Sequence, residues 1–107
     1  MNEQRTKDEL TTENELICEE LLHWKPTHRG WLKNDGYMYA GCGTPSFTTW
    51  AEAGLIFDAL QAKYEDVSVT GEVGGWVARA GSQSYFGDTG PLAIRHAALD
   101  YIKAVKS

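Results

Sequence analysis

The strongest constraint on the fold is a capped amphipathic helix in the middle of the chain. Thr49-x-x-Glu52 has the spacing of a capping box, in which the threonine accepts from the third helical N–H and the glutamate reaches back. Behind it, apolar residues recur at i, i+3, i+4, i+7 and i+11, the spacing of one buried helix face. They are Ala53, Ile56, Phe57, Leu60 and Tyr64. The pattern predicts a helix over about 50–64.

Two further helices are predicted near the ends of the chain. Thr12-x-x-Glu15 is a second capping box, and it predicts a helix over about 12–24 that ends before Lys25-Pro26. Thr89-Gly90-Pro91 opens the third helix, because proline suits a first turn whose N–H has no helical partner. The apolar stripe of this last helix contains Leu92, Ala98, Leu99, Ile102 and Val105.

Short strands separated by turn signals occupy the remaining segments. Apolar residues at 31–32 and 37–39 flank Asn34-Asp35-Gly36, which is a hairpin signal. Three more strands, at 67–70, 76–79 and 84–86, are separated by glycine turns and predict a meander. The order predicts an α/β fold, with a single antiparallel sheet and three packed helices in an αβα-sandwich-like arrangement. Trp76, Val77 and Ala78 offer apolar groups to both sheet faces, so either helices cover both faces or a second subunit covers one.

The acidic charge is concentrated at one end of the chain. The formal net charge is −5. Residues 1–20 hold seven acids and two bases, which account for all of it. We therefore predict a flexible acidic N-terminus over 1–10 and a single domain over 11–107. The body of the domain is neutral, which makes duplex nucleic acid an unfavourable partner.

Several classes of protein are disfavoured by the same sequence. The longest apolar runs fall well short of the ~20 residues that a membrane helix needs, and the polar N-terminus does not resemble a signal peptide. Cys18 and Cys42 do not make a disulfide framework, and together with His23 and His28 they lack the paired spacing of a zinc site. We predict a cytoplasmic protein with no metal, no cofactor and no catalytic residue.

Four segments resemble the phage αβα-sandwich domain family in their order and spacing. The family often carries apolar-apolar-Gly-Trp, and here the sequence is Leu21-Leu22-His23-Trp24. A Pro-x-aromatic-Ser/Thr-Thr-Asp opening before an Ala-rich helix is matched at 45–53, an aromatic strand at 75–78, and a Pro-Leu-Ala-Ile helix at 91–99. The chain departs from the family where His23 replaces the glycine and Trp50 replaces the aspartate.

The resemblance implies a function. Some proteins of this type bind cyclic ADP-ribose isomers, the alarm signals of bacterial Thoeris defence, without cleaving them. They are homo-oligomers with recessed pockets near subunit contacts, and they hold the nucleotide by aromatic stacking and arginines. The expected function is therefore non-enzymatic sequestration of such a nucleotide by a phage or prophage protein in the host bacterial cytoplasm. The alternatives are a phage module that binds a host protein through exposed aromatics, and a nucleotide hydrolase.

Two candidate site residues lie on the last helix and the middle strand of the meander. Arg95 lies one turn into the third helix, where the free N–H groups and the guanidinium would suit a pyrophosphate; alternatively, it pairs with Asp88. Trp76 could stack on a base or lie in the core.

Three more candidates have weaker positions. Arg79 is at an odd offset from Trp76 on one strand, so the two should point to opposite faces. Phe86 precedes the third helix and would form a pocket wall, unless it rather than Tyr85 is the core residue. Arg29 lies in the loop after the first helix and would reach a neighbour's pocket, unless it is a solvated cation.

Overall fold

The computed structural model describes residues 7–39 and 44–106. The first two elements are α1 (Lys7–Leu16) and a π-helical segment (Ile17–Leu21), which continues it. The other elements are, in chain order, β1 (Lys25–Thr27), β2 (Gly30–Leu32), α2 (Trp50–Gln61), β3 (Val67–Glu72), β4 (Gly75–Ala80), β5 (Gln83–Gly87) and α3 (Gly90–Lys106). The α/β class predicted from the sequence is confirmed.

The first helix begins earlier than its capping box predicts. α1 already includes Lys7, so Thr12 lies inside the helix and the predicted N-cap is wrong. The good helix formers upstream of Thr12 allow the helix to extend beyond a Thr-x-x-Glu motif that would otherwise start it. Residues 7–10 of the predicted flexible N-terminus are therefore helical, and residues 1–6 lie outside the described residues.

The N-terminal helix ends at a left-handed residue. The N–H of Leu22 donates to the Ile17 carbonyl and the N–H of Trp24 donates to the Cys18 carbonyl, at 3.0 and 2.9 Å. Between them, His23 has φ of +60°, the conformation that usually belongs to glycine just beyond a helix. The chain then turns directly into β1.

The five strands form two antiparallel sheets, so the prediction of a single sheet is wrong. β1 pairs with β2 in a hairpin that places Pro26 opposite Trp31. The predicted pairing across Asn34-Asp35-Gly36 is reduced to one bridge, Leu32 to Met38. Proline has no N–H to donate to a ladder, which keeps β1 at an edge, and α2 separates this pair from the later strands.

The second sheet is the predicted three-stranded meander, in the order β3-β4-β5. Val69, Ala78 and Tyr85 lie in one cross-strand row on the face that α3 covers. The opposite face carries a central row of Thr70, Val77 and Phe86. The sequence allowed either helices on both faces of this sheet or a second subunit on one face. Within the described residues, helices cover one face only. We call the second face the open face.

The two longer helices run side by side in the same direction. At one end, the Trp50 ring of α2 lies against Gly90, the first residue of α3. At the other end, the rings of Tyr64 and Tyr101 are 5.9 Å apart. Both helix starts are therefore at one end of the domain.

Threonine caps begin both of these helices. Thr49 Oγ1 accepts from the Glu52 N–H and Thr89 Oγ1 accepts from the Leu92 N–H, each at 3.2 Å. The predicted caps of α2 and α3 are confirmed. Within the described ranges, we find no helix with the length and apolar character needed to cross a bilayer.

Candidate functional site

Arg95 is buried within the packing of α1 against α3. Its side chain is 4% exposed, with the guanidinium 3.0 Å from the Glu13 carboxylate and Nε donating to the Asn14 side-chain oxygen. The carboxylate partner is thus Glu13, and the alternative pairing with Asp88 is wrong. Both partners lie on α1, so this arginine holds the first helix against the last.

Trp76 lies on the helix-covered face, beside the start of α2. Its ring packs over Gly71 and meets the Trp50 ring edge-on, with the centroids 5.2 Å apart. Trp50 is 51% exposed and Trp76 is half-buried. The tryptophan that departs from the family pattern therefore makes an aromatic pair at the end of the domain where both helices begin.

Arg79 and Phe86 lie on the open face. Arg79 pairs with Ser84 and Val77 pairs with Phe86, which makes Arg79 and Phe86 diagonal neighbours on adjacent strands. The prediction that Arg79 points away from Trp76 is confirmed by this register. Phe86 is 69% exposed, and Tyr85 is the half-buried member of that pair of neighbours.

Arg29 lies in the turn of the other sheet. It is exposed between β1 and β2, and its backbone N–H donates to Thr27 Oγ1 at 3.1 Å. One chain therefore does not gather the five predicted residues into a single site. Trp76 and Arg95 are on the helix side, Arg79 and Phe86 are on the open face, and Arg29 is in the hairpin.

A recess beside the first turns of α3 includes one of the predicted residues. Its volume is about 250 Å³. The lining residues are Gly74, Phe86, Gly87, Asp88, Leu92 and His96. We call it the Phe86 recess. His96 lies on the third helix one residue beyond Arg95, and its position on the recess-facing side could be read only once the packing of α3 was known.

A larger groove lies along α3 and shares His96 with the recess. Its volume is about 490 Å³, and it is lined by Glu13, Leu16, Tyr85, His96, Leu99, Asp100 and Lys103. The Tyr85 hydroxyl donates to the Asp100 carboxylate at 2.6 Å. Burial and this hydrogen bond raise the pKa of Tyr85 well above its usual value, so the phenol stays protonated. We call this space the α3 groove, and His96 borders it as well as the Phe86 recess.

Among the described residues, the remaining chemistry-bearing side chains do not form a site. Cys18 is buried, and that burial, with nearby Glu15 and Glu19, raises the pKa of its thiol to about 12. Cys42 lies outside the described residues. No cluster of three or more His, Cys, Asp or Glu side chains suited to a metal ion is found in residues 7–39 and 44–106.

The fold is similar to that of a solved phage protein. The crystal structure of a phage protein from Bacillus cereus ATCC 14579 superposes with a TM-score of 0.68 and 21% sequence identity. The alignment covers 96% of this chain and 94% of that chain. At this identity the likeness establishes a shared fold. No family model and no curated protein matches the chain.

Proposed function

We propose that this chain is a phage or prophage anti-defence protein that sequesters a cyclic ADP-ribose isomer without cleaving it and so inhibits Thoeris-type immunity. The observation that carries the proposal is the Phe86 recess, where an exposed aromatic ring stands beside the first turns of a long helix. The fold shared with a Bacillus cereus phage protein supports the phage setting.

The recess offers the two kinds of contact that a nucleotide needs. The exposed face of Phe86 can stack on a base, an interaction worth about 1–3 kcal/mol in single-stranded nucleic-acid sites. The positive end of the α3 dipole favours phosphate close by, although the N–H groups of Leu92 and Ala93 already donate to Thr89. Arg95 supports the site indirectly and does not contact the ligand. Its guanidinium is bound to Glu13 and Asn14, and these contacts hold α1 on α3.

A second copy of the chain completes this site. A recess of about 250 Å³ is smaller than the roughly 300–1,000 Å³ of most small-molecule sites. Phe86 lines the recess and its exposed side chain lies on the open face, so a copy packed on that face would add its own walls. Arg79 of that copy is the arginine best placed to meet the phosphates. The protein then acts as a homo-oligomer.

Calorimetry with a ribose-closed cyclic ADP-ribose tests the function directly. We expect tight binding, and recovery of the intact ligand after heat denaturation of the complex. Replacing Phe86 by Ala should weaken binding by at least tenfold. Tyr37→Ala, which removes an exposed aromatic from the turn after β2, should leave it unchanged. Failure of the wild type to bind, or release of a cleaved product, would contradict the proposal.

The rival function is a module that binds a host protein. Tyr37 is 74% exposed and Met38 lies beside it, partly exposed, in the turn after β2. Aromatic residues at the surface often anchor protein interfaces. A specific host partner that is lost with Tyr37→Ala, together with no nucleotide binding, would favour this function over sequestration.

A further inference from the structure

His96 lines both the Phe86 recess and the α3 groove, and it is partly exposed. A ligand that occupies both spaces must pass this imidazole. The side chain therefore has a position from which it can select among ligands.

A backbone hydrogen bond fixes which ring nitrogen of His96 carries the hydrogen. Nδ1 lies 2.7 Å from the carbonyl oxygen of Phe86. A carbonyl oxygen can only accept, so Nδ1 must be the donor, and in the neutral ring Nε2 is then an acceptor. No described residue hydrogen-bonds to Nε2. In its neutral form the imidazole thus presents a fixed lone pair to whatever fills the space around it.

The other groups of the α3 groove are mainly acceptors too. The Asp100 carboxylate accepts from Tyr85, which uses the single hydrogen of that phenol. Glu13 adds a second carboxylate, paired with Arg95. Lys103 is the cation of this lining and already has a partner. Such a lining is complementary to a ligand edge that presents N–H donors.

We propose that His96 determines the base specificity of the bound nucleotide, an inference that rests on the proposed function. Nε2 accepts a hydrogen bond from the exocyclic amine of adenine when the base stacks against Phe86. Hypoxanthine has a carbonyl oxygen at that position, which places two acceptors opposite each other. A site built around a hydrogen bond discriminates strongly against an analogue that cannot form it.

The test compares two ligands that differ only along one edge of the base: adenine presents the C6 amine beside an acceptor N1, and hypoxanthine presents a C6 carbonyl beside an N1–H donor. Calorimetry is run with ribose-closed cyclic ADP-ribose, in which the adenine amine is free, and with its hypoxanthine analogue. We expect the wild type to prefer the adenine ligand by at least tenfold. His96→Asn, whose amide can turn to donate or accept, should reduce the preference to less than threefold. His28→Asn, in an exposed turn, is the matched control and should keep the full preference.

Nitrogen NMR of the wild type provides a measurement that does not depend on any variant folding. We expect the free protein to show hydrogen on Nδ1 of His96, and the Nε2 resonance to shift when the adenine ligand binds. The inference is overturned, with sequestration intact, if the wild type binds both ligands equally, if His96→Asn keeps the preference, or if Nε2 carries the hydrogen in the free protein. Binding of neither ligand removes the proposed function and this inference together.

Discussion

At the scale of single residues, the clearest local conflict is His23. Its φ of +60° is left-handed. The phage αβα-sandwich family, which the sequence resembles, often has glycine at this position. A side chain in this conformation costs roughly 1–2 kcal/mol, and part of that is offset because glycine loses more entropy on folding. We expect His23→Gly to raise the free energy of unfolding by about 0.5–1 kcal/mol.

Urea denaturation measures this change. The matched control is His28→Gly, in a turn residue that is not left-handed, and it should be neutral or slightly destabilising. A lower midpoint for His23→Gly than for the wild type would show that the imidazole contributes more than the backbone conformation costs.

Arg95 gives a second prediction at this scale. Removing a buried partner leaves the other charge uncompensated, and such losses are commonly about 3–5 kcal/mol. We expect Arg95→Ala to lower the free energy of unfolding by about 3 kcal/mol, because Glu13 stays behind largely buried. Arg29→Ala, in the exposed turn between β1 and β2, should change it by less than about 0.5 kcal/mol. The measurement is the melting temperature of each variant. An unchanged melting temperature for Arg95→Ala would show that the ion pair is not structural, and Arg95 would again be a candidate for direct ligand binding.

The partner of Arg95 shows why sequence alone misassigns such a residue. Asp88 is seven positions from Arg95 in the chain, whereas its carboxylate partner Glu13 is 82 positions away. Helix periodicity could place Arg95 on a face of α3, but which element covers that face depends on the packing of α1. His96 was not predicted as a site residue for the same reason. Its role depends on its hydrogen bond to the Phe86 carbonyl and on the two spaces that it lines.

At the scale of elements, sequence motifs predicted the helices and strands whose start or end depends on contacts between neighbouring residues. The threonine caps and the glycine turns of the meander depend on contacts within a few residues, and α2, α3 and β3–β5 were predicted correctly. β1 was not predicted, because the sequence Lys25-Pro26 is as typical of a helix end as it is of a short edge strand. Its pairing with β2 follows the left-handed turn at His23, and no feature of the sequence predicts that conformation for a histidine.

Two glycines separate helix propensity from helix packing. Gly54 lies inside α2 with open space where a Cβ would be, so Gly54→Ala should stabilise the protein by about 0.5–1 kcal/mol. Gly90 begins α3 directly against the Trp50 ring, and Gly90→Ala would drive a methyl group into that ring. We expect the second variant to be destabilised and to lose near-ultraviolet circular dichroism from the Trp50–Trp76 pair. Equal effects of the two substitutions would mean that the helices do not meet at this point.

At the scale of the whole molecule, the distribution of helices is the feature with the most consequence. α3 crosses the three-stranded sheet on one face, and the open face is left with Val77 and the exposed Phe86 at its centre. The apolar residues of β4 indicated two covered faces, but the sequence could not say what covers the second. A charged residue lies on each side of the central row, Arg79 on one side and Glu72 on the other.

This arrangement of charges is self-complementary. If a two-fold axis crosses the strands at the Val77 row, Arg79 of each copy comes beside Glu72 of the other, as an isologous interface requires. We therefore expect light scattering to give twice the chain mass of 11.9 kDa, and Val77→Asp to give the monomer. Val105→Asp, which charges an exposed apolar residue near the end of α3, is the control and should stay dimeric.

Charge reversal across this interface tests the geometry more sharply than disruption does. Arg79→Glu and Glu72→Arg should each weaken the dimer, because each places like charges opposite one another. The double variant restores opposite charges in exchanged positions and should recover most of the lost association. Reversal cannot rescue a variant whose chain has simply become less stable, so recovery would locate the axis at the Val77 row. If the two single effects add in the double variant, these charges do not meet across the open face, and a second copy must complete the Phe86 recess from another direction.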